Sequence, residues 1–462
     1  MLAVKQYNLY DSFSESAVFT IDDVEGYYGG EIKYSPEDGI TGSINCFCDQ
    51  PLFTCEDSMQ PFYVRAAFSD GKCATLCKCF LSRKFITEFN KTFYFSACYI
   101  IFDTCFPQKM SITGFDVVFN SWEEFYLGKI FLNKNIENNI ISTKINDDIS
   151  FSIYDKPEYG LLINYVFSRN IDEHRRISRI IDNALKEEKK YLDVYTVRSK
   201  SLIHVSNTIK CVDINSFYIC IRKIAQFIFV LTGVPTGPMT ISLCLEEKDS
   251  NEYSGYSSHP FLFQPEMKKN MIDDTLARKG YAFEELFSYR DIEHDFSDIL
   301  VKFFDNYTVF ANILDKITYN QRIGISSKFT VASNIDAIAH IANIKEYSTK
   351  KKYDECIDEY AFDALKNYLR QIFSQYKKNI GALISDLRSS VVHPTNQEYM
   401  DILNDIRHRS PFIDNILALV SLNYLQESIG IPEELRCKFQ KYWLDIYSSY
   451  EYVEYDRPDG EK

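Results

Sequence analysis

The spacing of apolar residues changes near residue 265, and this change constrains the fold more than any other feature of the sequence. From about residue 8 to 130, short segments rich in β-branched and aromatic residues are separated by turn signals such as Glu37-Asp38-Gly39. Several short strands at this spacing predict a β-sandwich or a curled sheet. The predicted strands are Ala17–Ile21, Gly30–Tyr34, Ile40–Cys48, Phe62–Phe68, Thr75–Phe80, Thr92–Ile101 and Phe115–Phe119.

Between residues 130 and 265 the strand pattern continues, and two helices interrupt it. One predicted helix, Ile171–Tyr191, is charged, and the other, Asp213–Thr232, is amphipathic and ends at Gly233. The polar stretch Glu246–Pro260 predicts a long surface loop or a linker. The predicted strands of this region are Ile149–Tyr154, Leu161–Phe167, Leu192–Arg198 and Met239–Cys244.

After about residue 265 the apolar residues recur at helical spacing. The predicted helices are Phe296–Leu314, one that starts at Ser333 or Asn334, Ala361–Val391 with a break near Gly381, and a final helix Pro411–Ile429 that Gly430 ends. The sequence therefore predicts an α+β protein of several domains. Residues 1–265 form a β-rich, sandwich-like domain, residues 266–450 an all-α bundle, and residues 451–462 an acidic tail.

Charge and composition exclude several classes of protein. Lys and Arg total 51 and Asp and Glu total 65, so the net charge of −14 argues against a broad basic surface for nucleic acid but permits a local basic patch. The first residues lack the apolar core of a secretory signal, and no run of about 18 apolar residues occurs. We therefore expect a soluble, cytoplasmic protein with no membrane contact and, without any nucleotide-binding motif, no cofactor.

Eight of the 13 cysteines lie before residue 106. The close pairs, Cys46/Cys48 and Cys77/Cys79, have the spacing C-x-C rather than the C-x2-C of zinc ribbons. Because residues i and i+2 share one face of a strand, such pairs are typical of small apolar residues that line a core. Reduced core thiols are the preferred interpretation, with a structural metal as the alternative, and no metal ligands are predicted.

Arg388 and His393 form the strongest candidate site in the helical half. An ideal helix would place their side chains about 140° apart. His393 precedes Pro394, however, so the helix should end there and the imidazole can turn back beside the guanidinium. The surrounding segment is basic, with a single acid, Asp386. Its basic residues are Lys366, Arg370, Lys377, Lys378 and Arg388.

This pair of side chains suits RNA cleavage without a metal. RNA carries its own nucleophile, the 2′-hydroxyl, and a histidine can take its proton or protonate the leaving 5′-oxygen. An arginine can hold the phosphate and stabilise the charge that develops on it. A two-fold dimer would supply two such pairs, one for each proton transfer. From its spacing alone, however, a pair of this kind is usually no more than surface residues or cations that interact with the dipole at a helix end.

The motif R-x4-H at the end of a helix in a late all-α bundle resembles the HEPN domain of RNA-cleaving toxins and defence proteins. Pro394 and the segment Tyr424–Pro432 strengthen this resemblance. The N-terminal half resembles the domain that precedes HEPN in ApeA-type anti-phage proteins. The residues that carry this second resemblance are Val24-Glu25-Gly26, the Asp70-Gly71 turn before Thr75–Phe80, and Ser121-Trp122.

The resemblance implies that Arg388 and His393 are the catalytic residues of a metal-independent endoribonuclease. It implies an effector of abortive anti-phage defence that cleaves cellular RNA, with tRNA as the expected class. The helical domain would form a homodimer or higher oligomer, and a phage-derived protein is the expected trigger of the β-rich sensor half. Ser389 stands where the family often has Asn, and we expect Ser389, Lys377 and Lys378 to contact the substrate.

Two other functions remain open at this point. In the first, the helical bundle is a catalytically silent HEPN-like module that dimerises and binds a partner. Alternatively, the β-rich half would bind a ligand and the helical half would be only a scaffold. No array of aromatic and carboxylate residues in 1–265 singles out a ligand site of that kind.

Overall fold

The structure is a computed structural model of the chain. It describes residues 7–22, 24–47, 60–86, 90–103, 112–127, 141–161, 195–207, 214–246, 256–265, 286–323, 328–342, 344, 348–376, 378–392, 395–410 and 412–449. The chain divides into two compact units. The first, the β unit, contains residues 1–222 and 237–269, and the second, the helical unit, contains residues 223–236 and 270–462.

The described strands of the β unit form one antiparallel sheet with the order β3-β2-β1-β4-β5-β6-β12-β11-β7-β10-β9-β8. The strands are β1 (Phe13–Ile21), β2 (Val24–Ser35), β3 (Gly39–Phe47), β4 (Phe62–Phe68), β5 (Cys73–Ile86), β6 (Asn90–Phe102), β7 (Ile112–Phe119), β8 (Ile141–Lys144), β9 (Ile149–Leu161), β10 (Tyr195–Asn207), β11 (Pro238–Glu246) and β12 (Tyr256–Phe263).

The first six strands close into a barrel because β3 pairs with β6 as well as with β2. Strand β6 is long enough to pair with two different strands along the same edge. Its first half, Asn90–Ala97, pairs with β3, and Tyr99–Ile101 pairs with β12. Closure removes the exposed edges that an open sheet would leave. The sandwich-like arrangement predicted for this half is therefore wrong, and the curled sheet is the arrangement observed.

The second half of the sheet has, from β11 to β8, one apolar face and one polar face. Phe115 and Val117 of β7 are fully buried, as are Ile203 of β10 and Leu243 of β11. The ring of Phe115 meets Phe217 edge to face at 5.5 Å. Phe217 belongs to a helix, Ile214–Thr232 (α2), which follows a short helix, Trp122–Leu127 (α1). Because successive side chains of a strand point to opposite faces, the residues that alternate with these buried ones form the polar face.

The helical unit contains nine further α-helices in its described part. They are α3 (Phe296–Asp305), α4 (Tyr307–Ile323), α5 (Lys328–Ile341), α6 (Thr349–Tyr360), α7 (Asp363–Phe373), α8 (Ile380–Val392), α9 (Gln397–Arg409), α10 (Ile413–Ile429) and α11 (Glu433–Ser448). Helix α10 packs against α3, α4, α5, α6 and α11 and is buried on nearly every side. It therefore forms the centre of the bundle.

Several element predictions are confirmed and others are corrected. Helix α2 and helix α10 match their predicted spans closely, and Gly430 ends α10 in the left-handed conformation. The predicted loop Glu246–Pro260 is wrong for its last part, because β12 begins at Tyr256. The prediction that Pro411–Ile429 is the final helix is also wrong, because α11 follows it. The predicted helix Ile171–Tyr191 and the predicted tail 451–462 lie outside the described residues.

Candidate functional site

Helix α8 carries the predicted site, and its start is fixed by two polar side chains. Asn379 caps the helix, because its Oδ1 accepts the amide N–H of Ala382 at 3.0 Å. Asp354 of α6 accepts the N–H of Gly381 at 2.6 Å. A Cβ on Gly381 would lie 2.1 Å from the carbonyl oxygen of Lys350, so the α6 and α8 backbones meet where a side chain has no room. This close crossing sets the position of α8 on α6.

Arg388 lies in the last turns of α8, and its side chain is 35% exposed. Its Nη1 donates a hydrogen bond to the hydroxyl of Tyr353 on α6 at 2.9 Å and lies 3.7 Å from Oδ2 of Asp336 on α5. The bond to Tyr353 and the nearby carboxylate raise the pKa of Arg388, so its positive charge is secure. Burial raises the pKa of Tyr353, which keeps this hydroxyl protonated.

Part of the Arg388 guanidinium is unused within the described part of the chain. Nε and Nη2 make no hydrogen bond to any described residue. These two groups form the fork that binds a phosphate or carboxylate in a bidentate manner. Among the described residues, Arg388 is therefore anchored on one side and has no partner on the other, which suits an anion.

Lys378 has a partner of its own. Its Nζ lies 2.9 Å from Oδ2 of Asp386, whose side chain is only 8% exposed, and 3.9 Å from Oε1 of Glu398 on α9. A buried carboxylate needs a cation or hydrogen-bond donors. The only acid in the basic segment is therefore paired with the lysine that we predicted to contact substrate, so a substrate would compete with Asp386 for this ammonium group.

The Ser389 hydroxyl also has a partner within the protein. Its Oγ donates to the carbonyl oxygen of Ser385 at 2.8 Å, one helical turn earlier. This bond is a common way for serine to satisfy its hydroxyl inside a helix. The oxygen of Ser389 remains able to accept a hydrogen bond, but its hydrogen is directed along the helix.

The remaining predicted site residues, Lys377 and His393, lie outside the described residues, as does Pro394. The structure therefore brings Arg388 and Ser389 together on one helix and places Lys378 before the start of that helix. It adds two residues that the sequence reasoning missed, Tyr353 and Asp336. Neither lies in the motif, and both are brought to Arg388 only by helix packing.

Three early cysteines are buried, as predicted for core thiols: Cys46, Cys77 and Cys79. Burial raises the pKa of Cys77 to about 12 and also raises the pKa of Cys79 well above its ordinary value, so both remain thiols. Cys48, Cys55 and Cys105 lie outside the described residues. Among the residues that the structure describes, the single group of three side chains placed to hold a metal ion lies elsewhere, at Asp116, His204 and Cys244.

The sequence reasoning missed this second group because its members are far apart along the chain. Asp116 belongs to β7, His204 to β10 and Cys244 to β11. The available signal was weak: each is a polar or metal-binding residue that stands between two apolar residues of its strand.

No known protein family, curated protein or solved structure matches the chain. Among the described helices, none combines the length and the apolar composition needed to span a bilayer.

Proposed function

We propose that the helical unit is a metal-independent endoribonuclease of the HEPN type and that it acts as the effector of an anti-phage defence. The observation that carries the proposal is the state of Arg388. Its charge is secure, one nitrogen is anchored by Tyr353, and Nε and Nη2 are available to a phosphate. An anchored, half-exposed arginine at a helix end suits phosphate binding better than a fully paired one.

The proposed reaction uses the RNA's own nucleophile. The 2′-oxygen attacks the adjacent phosphorus, the bond from phosphorus to the 5′-oxygen breaks, and the products carry a 2′,3′-cyclic phosphate and a 5′-hydroxyl. His393 accepts the 2′-hydroxyl proton or donates a proton to the leaving oxygen, and a second protomer supplies the other transfer. Arg388 stabilises the negative charge on the phosphate oxygens.

The direct test uses purified full-length protein that has been treated with EDTA and then given total RNA or tRNA. We expect products with 2′,3′-cyclic ends from the wild type and none from His393→Ala or Arg388→Ala. Arg388→Lys keeps the charge without the planar fork and should retain only part of the activity. Arg370→Ala removes an exposed arginine of α7 and is the matched control.

Cleavage by both Arg388→Ala and His393→Ala, at the rate of the Arg370→Ala control, would refute the assignment. In bacteria, wild type and His393→Ala should differ in toxicity and in the RNA ends found by sequencing. Identical ends in the two strains would refute the defence role through RNA cleavage.

A second function is favoured by a specific observation. Lys378 is paired with buried Asp386, and the Ser389 hydroxyl donates to Ser385, so two predicted substrate contacts already have partners. This pattern is compatible with a silent HEPN-like module that dimerises and binds a partner. Under that alternative, EDTA-treated protein would form a stable dimer by light scattering and leave RNA intact.

A further inference from the structure

The polar face of the second half of the sheet carries a row of hydrophilic residues that runs across five strands. Cross-strand pairing aligns Ser142 with Ser152, Ser152 with His204, His204 with Asp116, and Asp116 with Ser242. The opposite face of the same strands is apolar and buried. Serine, histidine and aspartate in such a row are not needed for packing, so this face is a candidate site for a polar ligand.

Three side chains on this face converge at its centre. His204 and Asp116 are direct cross-strand partners, and Nδ1 of His204 lies 2.7 Å from Oδ1 of Asp116. Cys244 lies on the other side of Asp116, two residues beyond Ser242, the direct partner of Asp116 on β11. One ligand atom from each of the three side chains lies within 4.8 Å of the other two.

Local backbone features direct Cys244 toward the other two residues. Its cross-strand partner on β7 is Gly114, so no side chain stands beside the thiol at that position. The register between β11 and β7 shifts directly after Cys244. Such bulges re-aim a side chain and are common beside functional sites.

From this convergence we propose that Asp116, His204 and Cys244 form a binding site for a divalent transition metal, with Zn²⁺ as the expected ion. A set of one nitrogen, one sulfur and one oxygen ligand matches the preference of zinc and not that of Mg²⁺ or Ca²⁺, which take oxygen ligands. Tetrahedral zinc holds such atoms about 3.3–3.6 Å apart, so side-chain adjustments of about 1 Å would complete the set.

The described residues supply three ligands, which leaves the fourth position of a tetrahedral ion for water or another ligand. The side chains of His204 and Asp116 are 23% and 22% exposed, so an ion and a water molecule can reach them, whereas Cys244 is buried. A thiolate and a carboxylate together balance the charge of Zn²⁺. The bound ion would also link β7, β10 and β11, the central strands of this half of the sheet.

The same residues are poorly suited to an alternative role, in which Cys244 is a nucleophile. Burial and the neighbouring carboxylate of Asp116 raise the pKa of Cys244 to about 12 in the metal-free protein, so the thiolate that a nucleophile requires is scarce there, whereas a bound metal ion would itself favour the thiolate. A nucleophilic cysteine usually has a lowered pKa and a histidine as its direct base. Here His204 is instead directed toward Asp116.

The experiment is a titration of the chelator-treated, full-length protein with Co²⁺, followed by displacement with Zn²⁺. We expect one equivalent of Co²⁺ to produce a near-ultraviolet charge-transfer band from the thiolate together with visible bands of a tetrahedral ion, and Zn²⁺ to abolish both. Cys244→Ser should remove the charge-transfer band. His204→Gln and Asp116→Asn should weaken binding by at least the roughly 10–100-fold that loss of a supporting residue costs at metal sites.

Cys98→Ser and Cys437→Ser are the matched controls, because both residues are exposed cysteines far from the group in sequence. The proposal fails if wild type shows no thiolate band, or if Cys244→Ser keeps it while a control variant loses it. A second measurement needs no variant. Zinc X-ray absorption of the wild type should show one sulfur neighbour at about 2.3 Å with nitrogen and oxygen neighbours, and zero or several sulfurs would overturn the assignment.

Discussion

Replacement of Lys378 by methionine is the sharpest test of whether this lysine stabilises the protein or contacts substrate. The substitution keeps most of the aliphatic stem but removes the ammonium group that lies 2.9 Å from Asp386. The carboxylate of Asp386, 8% exposed, then has no partner among the described residues. Loss of one partner costs about 3–5 kcal/mol for a fully buried pair and about 0–1 kcal/mol for an exposed pair. Lys378 is 35% exposed, so we expect about 1–3 kcal/mol.

Urea unfolding followed by far-ultraviolet circular dichroism would measure this loss. At about 2–4 °C per kcal/mol for a unit of this size, the thermal midpoint should fall by about 2–12 °C. The double variant Lys378→Met, Asp386→Leu removes the unpaired charge and should recover most of the stability. Lys350→Met, at an exposed position of α6, is the matched control and should change stability by less than about 0.5 kcal/mol.

Equal stability of Lys378→Met and Lys350→Met would refute the reasoning, because the pair with Asp386 would then contribute nothing. Lys378 could in that case contact a substrate without a cost in stability, as the sequence predicted. If stability falls as expected while RNA cleavage per folded molecule is unchanged, Lys378 is a structural residue and not a substrate contact.

Three further predictions concern the position of α8 on α6. Gly381→Ala should destabilise the protein by about 1–3 kcal/mol in urea unfolding, because the new Cβ meets backbone, whereas Gly29→Ala, with open space around it, should not. Tyr353→Phe removes the hydroxyl that anchors Arg388. We expect the rate of RNA cleavage to fall roughly 10–100-fold, while the free energy of unfolding falls by only about 1 kcal/mol. An unchanged cleavage rate would contradict the positioning role of Tyr353. Burial raises the pKa of the Asp354 carboxyl, so the folded state holds this proton more tightly than the unfolded chain does. Stability should therefore fall as the pH rises above the ordinary Asp pKa of about 4, and Asp354→Asn should remove that part of the slope in urea titrations at acidic pH.

The sequence predicted the class of fold because hydrophobic spacing is a local property. The change from strand to helical pattern is confirmed, as are the ends of α10, where Gly430 supplies the left-handed residue that stops the helix. Barrel closure could not be predicted from local hydrophobic spacing. It depends on the pairing of β3 with the first half of β6, about 50 residues away, and no local pattern specifies that partner.

The missed elements have different causes. Strand β12 contains Ser257, Ser258 and Pro260, which favour a turn, and it forms because β11 and β6 offer edges on both sides. Helix α11, in contrast, was predictable. Pro432 precedes two acidic residues in its first turn, and the buried residues Phe439 and Trp443 are four positions apart.

The charge of the candidate site is where the sequence and the structure lead to the most different conclusions. Along the chain, five cations face one acid, but in space the acids come from other elements. Asp336 of α5 lies beside Arg388, and Glu398 of α9 lies near Lys378, which is already paired with Asp386. Two of the five cations therefore lie beside carboxylates, which lowers the local positive charge that could attract RNA. Under the proposed function, RNA binding would depend mainly on the directed fork of the anchored Arg388, so Arg388→Ala is a more decisive test than the removal of a lysine.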